Sequence, residues 1–226
     1  MRKPASSAFA SEPMTFSSFP GRGLYVITDG PRLDLSDAVE QALAGGARLV
    51  QYRDKTREPV RRRLEARSLL ALCRTYAVPL IINDDIALAH AIGADGVHLG
   101  EADKSIVSAR EALGPNAIVG VSCYDSLERA KEAAQQGASY IAFGAFFASP
   151  TKPLARRASV DLLRHSATLG IPRVAIGGIT PDNGPSLVAA GADYLAVISA
   201  VFGTPNIRAA AQHFTQLFLP DRAVSP

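Results

Sequence analysis

Two cationic side chains, spaced to hold an anion together, follow one apolar run of this sequence. Residues 51–55 read QYRDK, so one residue separates Arg53 from Lys55. Alternate side chains of an extended segment point the same way, and neighbouring cations form charge-assisted hydrogen bonds to phosphate. We therefore predict an anion site at this position. A surface ion pair of these cations with Asp54 or Glu58 is the alternative.

Two carboxylates follow the next two apolar runs, at Asp84 and Asp103. If those runs are neighbouring strands, the carboxylates converge as hard oxygen ligands for Mg²⁺, which binds one or two carboxylates plus substrate phosphates. A cation site beside an anion site indicates a pyrophosphate substrate. Aspartate is also favoured at the start of a helix, so capping of the following helices is the alternative for both residues.

A loop with two prolines follows a later apolar run. Residues 149–153 read SPTKP and bring the hydroxyls of Ser149 and Thr151 next to the ammonium group of Lys152. Proline restricts the backbone, and a rigid loop holds a catalytic lysine in place at low entropic cost. An ordinary exposed loop is the alternative interpretation.

Eight strand candidates, each followed by a helical pattern, must position these residues. The β-rich runs lie near 23–29, 48–53, 79–83, 96–100, 117–122, 140–146, 173–178 and 194–199, and a final amphipathic pattern covers 206–218. This alternation predicts an α/β fold, a single (β/α)8 TIM barrel, in which the active site lies at the carboxyl ends of the strands. An open doubly wound sheet is disfavoured, because no GxGxxG turn follows the first strand and no GxxxxGK[ST] loop occurs.

Glycines punctuate this pattern in two ways. Four helical stretches close on a Gly-Ala pair, at 46–47, 93–94, 137–138 and 191–192, which predicts a left-handed glycine at the end of each helix. The last two strand candidates end in Gly177-Gly178-Ile179 and Ile198-Ser199-Ala200. The loops after strands seven and eight of such barrels often bind phosphate through backbone N–H groups, so we predict a second phosphate site there.

The composition indicates one domain. The chain has 226 residues, 47% of them hydrophobic, which suits a single core. We expect a disordered leader at 1–21, the barrel catalytic domain at 22–220 and a C-terminal tail at 221–226. A net charge of +3 is a mild basic excess that does not favour nucleic acid as a partner. No run approaches the roughly 18 apolar residues of a membrane span, so no membrane partner is expected.

The two cysteines and the final helix bear on compartment and assembly. Cys73 and Cys123 belong to no CxxC or Cys/His pattern, which disfavours disulfides and zinc and favours a reduced, cytoplasmic setting. The final helix carries Phe214, Leu217 and Phe218. It could cover its own barrel or a neighbouring copy, so a homo-oligomer stays open.

Several short segments, taken in order, resemble the thiamine-phosphate synthase family. They are residues 51–55, Asn83-Asp84-Asp85, His98-Leu99-Gly100 with Asp103, Val121-Ser122, Pro150-Thr151-Lys152, Ile176-Gly177-Gly178-Ile179 and Ile198-Ser199-Ala200. The resemblance extends from about Leu24 to Phe202, nearly the whole barrel. It implies a Mg²⁺-dependent transferase that joins a hydroxymethylpyrimidine diphosphate to a thiazole phosphate and releases pyrophosphate by dissociative displacement.

The resemblance also implies roles for individual residues. The pyrimidine diphosphate site would comprise Gln51, Arg53, Lys55, Asn83, Ser122 and Lys152, with Asp84 and Asp103 as Mg²⁺ ligands. Tyr52, Asp54 and Pro150 would be further substrate-binding residues. The thiazole phosphate site would comprise Ser149, Thr151, Gly178, Ile198 and Ser199. The implied catalytic residues are Arg53, Lys55, Lys152 and Ser122.

One departure from the family helps to choose among its relatives. Tyr124 stands near the position at which many relatives have a histidine, the residue type that the related thiazole tautomerase uses in this segment, so the synthase is favoured. A barrel isomerase or aldolase acting on a sugar phosphate, and a non-catalytic sensor of thiamine precursors, are the alternatives. His98 is interpreted as a packing or hydrogen-bonding residue rather than a general base.

Overall fold

A closed barrel of eight parallel strands, in sequence order, forms the protein. The computed structural model describes residues 21–100, 105–148 and 156–219. The predicted leader, apart from Gly21, and the predicted tail lie outside the described residues. The single (β/α)8 barrel predicted from the sequence is confirmed.

The strands lie where the β-rich runs predict them, within a few residues at each end. They are β1 Gly23–Ile27, β2 Leu49–Tyr52, β3 Leu80–Asn83, β4 Gly96–Leu99, β5 Ile118–Tyr124, β6 Tyr140–Gly144, β7 Arg173–Ile176 and β8 Tyr194–Val197. Each strand pairs in parallel with the next, and β8 pairs with β1 to close the barrel.

Helices follow the strands and surround the barrel. They are α1 Leu35–Ala44, α2 Pro59–Thr75, α3 Ile86–Ile92, α4 Ile106–Leu113, α5 Leu127–Gln135, α6 Asp161–His165, α7 Gly184–Ala189, α8 Ser199–Phe202 and α9 Ile207–Gln216, with a 3₁₀ turn at Ser166–Leu169. None of the helices in the described part of the chain is long and apolar enough to span a membrane.

Left-handed glycines end the helices as the Gly-Ala pairs predict. The backbone φ angles are 98° at Gly46, 67° at Gly93, 84° at Gly137 and 102° at Gly191. A side chain is strained in this region of backbone conformation, whereas glycine is not. Each of these glycines turns the chain from a helix back into the next strand.

Alternate residues of each strand face the barrel lumen or the helices. The lumen cluster comprises Tyr25, Ile27, Leu49, Ile81, Ile118, Tyr140, Ala142, Val174, Tyr194 and Ala196. The other strand residues pack with the helices in a larger outer cluster. A polar residue that continues the lumen-facing set at the carboxyl end of a strand therefore faces the mouth of the barrel.

The outer cluster contains both cysteines and the final helix. Cys73 and Cys123 are buried and unpaired with each other, and burial raises the pKa of each thiol to about 12, so both stay protonated at neutral pH. Phe214 of α9 is fully buried, and Leu217 and Phe218 pack against the same cluster. The final helix thus covers its own barrel.

Candidate functional site at the carboxyl end of the barrel

The end of β2 separates its side chains between the lumen and the outer layer. Tyr52 packs in the outer cluster, whereas Gln51 lies in the lumen, where its Nε2 donates to Tyr25 Oη over 2.6 Å. Arg53 is the next residue on the Gln51 side of the strand. Its backbone is held by Thr28, whose Oγ1 accepts from Arg53 N over 2.8 Å and donates to Arg53 O over 3.1 Å.

Tyr52 and Asp54 bond to α2 and the loop before it. Tyr52 Oη donates to Glu65 Oε2 over 2.6 Å. The Asp54 carboxylate accepts from Thr56 N over 2.7 Å and lies 2.6 Å from Arg61 Nη2. Burial acts to raise the pKa of Asp54, but hydrogen bonds from Thr56 and Arg61 outweigh it and hold that pKa below its ordinary value. Asp54 is an ionised anchor of the loop.

The ion-pair alternative for the two cations of this segment does not describe the structure. Asp54 and Glu58 both pair with Arg61. Within the described residues, no ion pair joins Arg53 or Lys55 to a carboxylate. Lys55 is exposed and Arg53 is partly exposed, so both charges are open to a ligand.

The two consecutive aspartates in the turn after β3, Asp84 and Asp85, have different structural roles. Asn83 pairs in register with His98 on β4. Asp84 has a left-handed φ of 62°, and its N donates to His98 O over 2.9 Å. Asp85 caps α3 by accepting a backbone N–H and bonds to Arg62 Nη2 over 3.1 Å. Because Asp85 caps the helix, the capping alternative for Asp84 is wrong, and Asp84 stands exposed at the rim.

The helix after β4 is capped by Ser105, whose Oγ accepts from Ser108 N over 3.2 Å. Asp103 lies outside the described residues, and its role as a metal ligand stays a prediction. In the ranges 21–100, 105–148 and 156–219, no group of three or more His, Cys, Asp or Glu could hold a metal ion. Mg²⁺ does not require such a group, because it takes one or two carboxylates together with substrate phosphates and water.

A chain of hydrogen bonds crosses the lumen below the mouth. It begins at Gln51 and Tyr25, and Tyr25 Oη lies 2.8 Å from Tyr140 Oη. Tyr140 Oη lies 2.9 Å from His98 Nδ1, and His98 Nε2 lies 2.8 Å from Ser122 Oγ. The interpretation of His98 as a hydrogen-bonding residue is confirmed, and the chain connects Gln51 and Ser122, two residues of the predicted site.

The two tyrosines of this chain were not predicted as site residues. The rings of Tyr25 and Tyr140 meet edge to face, with centroids 6.0 Å apart, and Tyr140 stacks on His98 at 5.6 Å. Gly120 makes room for Tyr140, because a Cβ at position 120 would overlap its ring. The sequence does hold a signal for them, because a tyrosine within an apolar strand has a buried hydroxyl that needs a hydrogen-bond partner. The identity of that partner depends on contacts between distant strands.

Arg129 of α5 ties the ends of β4 and β5 together. Its Nε donates to Ser122 O over 2.7 Å and its Nη2 donates to Gly100 O over 3.0 Å. The ring of Tyr124 lies 6.0 Å from the Arg129 guanidinium and 5.3 Å from that of Arg156. Tyr124, to which the sequence assigns no chemistry, thus packs between two arginines beside the mouth.

The loops after β6 and β7 approach each other closely. Phe147 N donates to Gly177 O over 3.0 Å. Gly178 has a φ of 65°, and a Cβ on it would lie 2.7 Å from Phe147 O. Asn183 Nδ2 donates to Gly178 O over 3.1 Å. Glycine at 178 is therefore needed for backbone contact, and its predicted contact with phosphate stays a prediction.

The loop with two prolines is anchored at its flanks. Ala145 N donates to Arg156 O over 3.0 Å, and Ala158 N donates to Ala145 O over 2.9 Å. These bonds bring the segment at 156–158 back to the end of β6. Residues 149–155 lie outside the described part of the chain, and with them the predicted site residues Ser149, Pro150, Thr151 and Lys152.

The chain after β8 turns directly into the short helix α8. Ile198 precedes the helix with φ of −116° and ψ of −86°, and Ser199 is its first residue. N–H groups in the first turn of a helix have no intrahelical acceptor. Because β8 pairs with β7, this turn lies next to the loop that carries Gly177 and Gly178.

Comparison with known proteins decides the family. The model of a family described as thiamine monophosphate synthase matches residues 24–201. The chain belongs to the thiamine monophosphate synthase family. A thiamine-phosphate synthase of Nitrosococcus oceani is 54% identical over 207 residues, which cover 88% of this chain and 95% of that protein. One of Thiobacillus denitrificans is 53% identical, with 89% and 96% covered.

A solved structure agrees with the family. A thiamine phosphate pyrophosphorylase from Pyrococcus furiosus superposes with a TM-score of 0.78 at 37% identity, covering 86% of this chain and 94% of that chain. The predictions of the family and of a transferase of thiamine biosynthesis are confirmed. The catalytic and ligand-binding roles of individual residues stay predictions.

Proposed function

We propose that this protein is a Mg²⁺-dependent thiamine-phosphate synthase. It would join 4-amino-2-methyl-5-hydroxymethylpyrimidine diphosphate to 4-methyl-5-(2-hydroxyethyl)thiazole phosphate, giving thiamine phosphate and pyrophosphate. One observation carries the proposal for this member of the family: Arg53, Lys55 and Asp84 stand at the ends of the adjacent strands β2 and β3, and both cations are open to an anionic ligand.

In this proposal the rim after β2 and β3 holds the pyrimidine diphosphate. Arg53 and Lys55 bind its phosphates, and Gln51 and Asn83 offer amide groups to the rest of the molecule. Tyr52 and Asp54 do not contact the substrate in this proposal, because their polar atoms bond to α2 and the loop before it. They fix the backbone on which the two cations stand.

Asp84 supports the Mg²⁺ part of the proposal. An exposed carboxylate is a hard oxygen ligand, and its left-handed backbone is a sparsely populated conformation of the kind that clusters at functional sites. Asp84 and Asp103 would hold the ion. Bound Mg²⁺ would supply charge neutralisation on the diphosphate.

The opposite side of the mouth is the proposed site of the thiazole phosphate. Gly178, Ile198 and Ser199 present backbone there, at the ends of β7 and β8, where barrels of this class often bind phosphate. Ser149, Pro150 and Thr151 of the loop after β6 complete this site in our proposal.

The proposed reaction needs no protein nucleophile. The bond between the pyrimidine methylene and the diphosphate oxygen breaks first, and its electron pair leaves with the pyrophosphate. Arg53, Lys55 and Lys152 stabilise the charge that develops on that leaving group. Ser122 completes the floor of the site. The electron-rich aminopyrimidine stabilises the methylene cation until the thiazole nitrogen donates its electron pair to form the new C–N bond.

Incubation of the purified protein with both substrates, with and without Mg²⁺, tests this function. We expect thiamine phosphate and pyrophosphate in equal amounts, and only with Mg²⁺. A folded protein that forms neither product, yet binds the thiazole phosphate, would contradict the proposal and favour the tautomerase or the sensor.

A further inference from the structure

Thr28, the residue that follows β1, is completely buried. Its backbone N donates to Gln51 O over 2.9 Å, which continues the pairing of β1 with β2. Its Oγ1 accepts from Arg53 N over 2.8 Å and donates to Arg53 O over 3.1 Å. The side chain of Thr28 therefore bonds to both polar backbone groups of Arg53.

The directions of these two hydrogen bonds follow from the chemistry of the partners. A backbone N–H group donates and a backbone carbonyl oxygen accepts, whereas a threonine hydroxyl does both at the same time. Thr28 is the residue type that can hold the two groups of Arg53 with one oxygen atom. Valine has nearly the same shape as threonine and can hold neither group.

The two bonds restrict the backbone of Arg53 on both sides of its Cα atom. Arg53 N belongs to the peptide unit that precedes this Cα, and Arg53 O belongs to the unit that follows it. Each unit is planar, so holding both restricts the φ and ψ angles of Arg53 and with them the direction of its side chain. Threonine is also stiff at χ1, so the buried hydroxyl is itself held in place.

The two cations at the end of β2 therefore have separate supports. The loop that carries Lys55 is held by Asp54, which pairs with Arg61, whereas Arg53 is held by Thr28 of the neighbouring strand. A guanidinium binds phosphate through two parallel N–H groups and needs a defined plane, whereas an ammonium group acts as a point charge. A fixed backbone consequently matters most at the arginine.

We propose that Thr28 is a positioning residue for the diphosphate site: its hydroxyl holds Arg53 in the orientation in which the guanidinium binds the phosphates. This inference rests on the proposed function and deepens it, because it adds a residue after β1 to a site formed by the ends of β2 and β3. Thr28 is buried and directs its hydroxyl at the Arg53 backbone, so it acts through Arg53 rather than on the substrate.

The first test compares Thr28→Val with Thr28→Ser, which keeps the hydroxyl. Binding of inorganic pyrophosphate with Mg²⁺ is measured by calorimetry, and KM is measured for each substrate. We expect Thr28→Val to weaken pyrophosphate binding and to raise KM for the pyrimidine diphosphate about tenfold, the scale of one hydrogen bond. KM for the thiazole phosphate should stay constant, and Thr28→Ser should restore the wild-type values.

Ser139→Ala is the matched control for the loss of such a bond. Ser139 Oγ accepts from Val119 N over 3.0 Å, so it too bonds to the backbone of a neighbouring strand. That bond lies where β5 begins, at the opposite end of the barrel from Arg53. We expect Ser139→Ala to lower the unfolding temperature and to leave pyrophosphate binding and both KM values unchanged.

A double-mutant cycle tests whether Thr28 acts through Arg53. Pyrophosphate affinity is measured for Thr28→Val, for Arg53→Met and for the double variant. Residues that act as one unit give non-additive effects. We expect Thr28→Val to cause almost no further loss of affinity once Arg53 has been replaced, whereas a general loosening of the site would reduce affinity by the same factor in both backgrounds. If Thr28→Val does not fold, Thr28→Cys replaces it, because a thiol is a weak donor and acceptor.

The outcomes distinguish this inference from the proposed function. Absence of thiamine phosphate from the wild-type reaction overturns the function, whereas pyrophosphate binding does not depend on turnover. An active wild type whose pyrophosphate affinity is unchanged by the loss of the Thr28 hydroxyl overturns the inference alone. So does an equal loss of affinity from Thr28→Val with and without Arg53.

Discussion

The guanidinium of Arg61 lies 2.6 Å from the carboxylate of Asp54, whose side chain is fully buried. Arg61 also bonds to Thr56 over 2.6 Å and to Glu58 over 3.0 Å. One arginine of α2 thus fastens the loop that carries Lys55. The position of the exposed Lys55 at the mouth of the barrel therefore depends on the buried ion pair of Asp54 with Arg61.

Replacement of Arg61 by Met should loosen this loop. The variant leaves a buried carboxylate without its cation, so we expect a loss of unfolding free energy clearly larger than that of an ordinary surface substitution. KM for the pyrimidine diphosphate should rise. Arg63→Met is the control, since Arg63 is exposed on the same helix; it should change stability by less than about 0.5 kcal/mol. Equal effects of the two variants would refute the role of Arg61.

The pH dependence of stability should report the ionised state of Asp54. Its pKa is lowered in the folded protein, so its contribution is complete above the unfolded pKa and disappears as pH falls through the folded pKa. Comparison of the wild type with Asp54→Asn by thermal unfolding, from about pH 3 to about pH 7, checks this. The difference in unfolding temperature between the two proteins should be largest near neutral pH and should decrease in acid. A difference in unfolding temperature that does not change with pH would exclude the charge of the Asp54 carboxylate as its cause.

Substitution of Gly120 by Ala should crowd the lumen. The new methyl group would overlap the ring of Tyr140, and overpacking of a core costs about 1–3 kcal/mol. The displaced ring should also weaken the bonds of Tyr140 to Tyr25 and His98. Gly21→Ala serves as the control because nothing lies within 4 Å of the added Cβ. Denaturant unfolding measures the difference, and a wild-type stability for Gly120→Ala would show that the lumen accommodates the methyl group.

Asp84→Asn should remove a metal ligand while it preserves the fold. Asparagine tolerates the left-handed backbone as aspartate does, so the unfolding temperature should stay unchanged. We expect activity to fall about 100-fold, by analogy with the loss of one charge-stabilising group, and the Mg²⁺ concentration for half-maximal activity to rise. Asp85→Asn is the neighbouring control, because asparagine also caps a helix. Full activity of Asp84→Asn would remove Asp84 from the metal site.

Lys152→Ala should slow turnover by about 100-fold or more if the ammonium group acts mainly on the departing pyrophosphate. The fall should appear in kcat and in kcat/KM alike, since the interaction is made in the transition state. Lys131→Ala is the control, because Lys131 is exposed on α5 and bonds to Glu128. A variant of Lys152 with normal kcat and a raised KM would instead make this lysine a ground-state binding residue.

Local patterns in the sequence predict the strands and their order. Each strand is a short apolar run bounded by a glycine or a polar cluster, and the register of a closed barrel brings the ends of those runs to one face. Hence Arg53 and Asp84 are found at the rim from the sequence alone. The glycines at 46, 93, 137 and 191 are predicted equally well, because a left-handed position is a local requirement.

Contacts between distant segments explain what the sequence does not predict. The helix after β3 is capped by Asp85 rather than Asp84 because Asp84 takes the left-handed turn and bonds to His98 on the next strand. The pairing of Tyr25 with Tyr140 joins residues 115 positions apart. Such contacts depend on side-chain packing across the whole lumen, which no spacing rule contains.

The anchoring of the loop after β6 has a consequence for how such enzymes diversify. Backbone bonds from Ala145 to Arg156 and from Ala158 to Ala145 close the base of this segment without using any side chain of it. Because both bonds use main-chain groups only, this closure does not depend on the residue types at positions 149–155. The loop after β6 can therefore vary between members of the family without a change in the barrel. Exchange of residues 149–155 for those of another member would then alter the substrate site and preserve the scaffold.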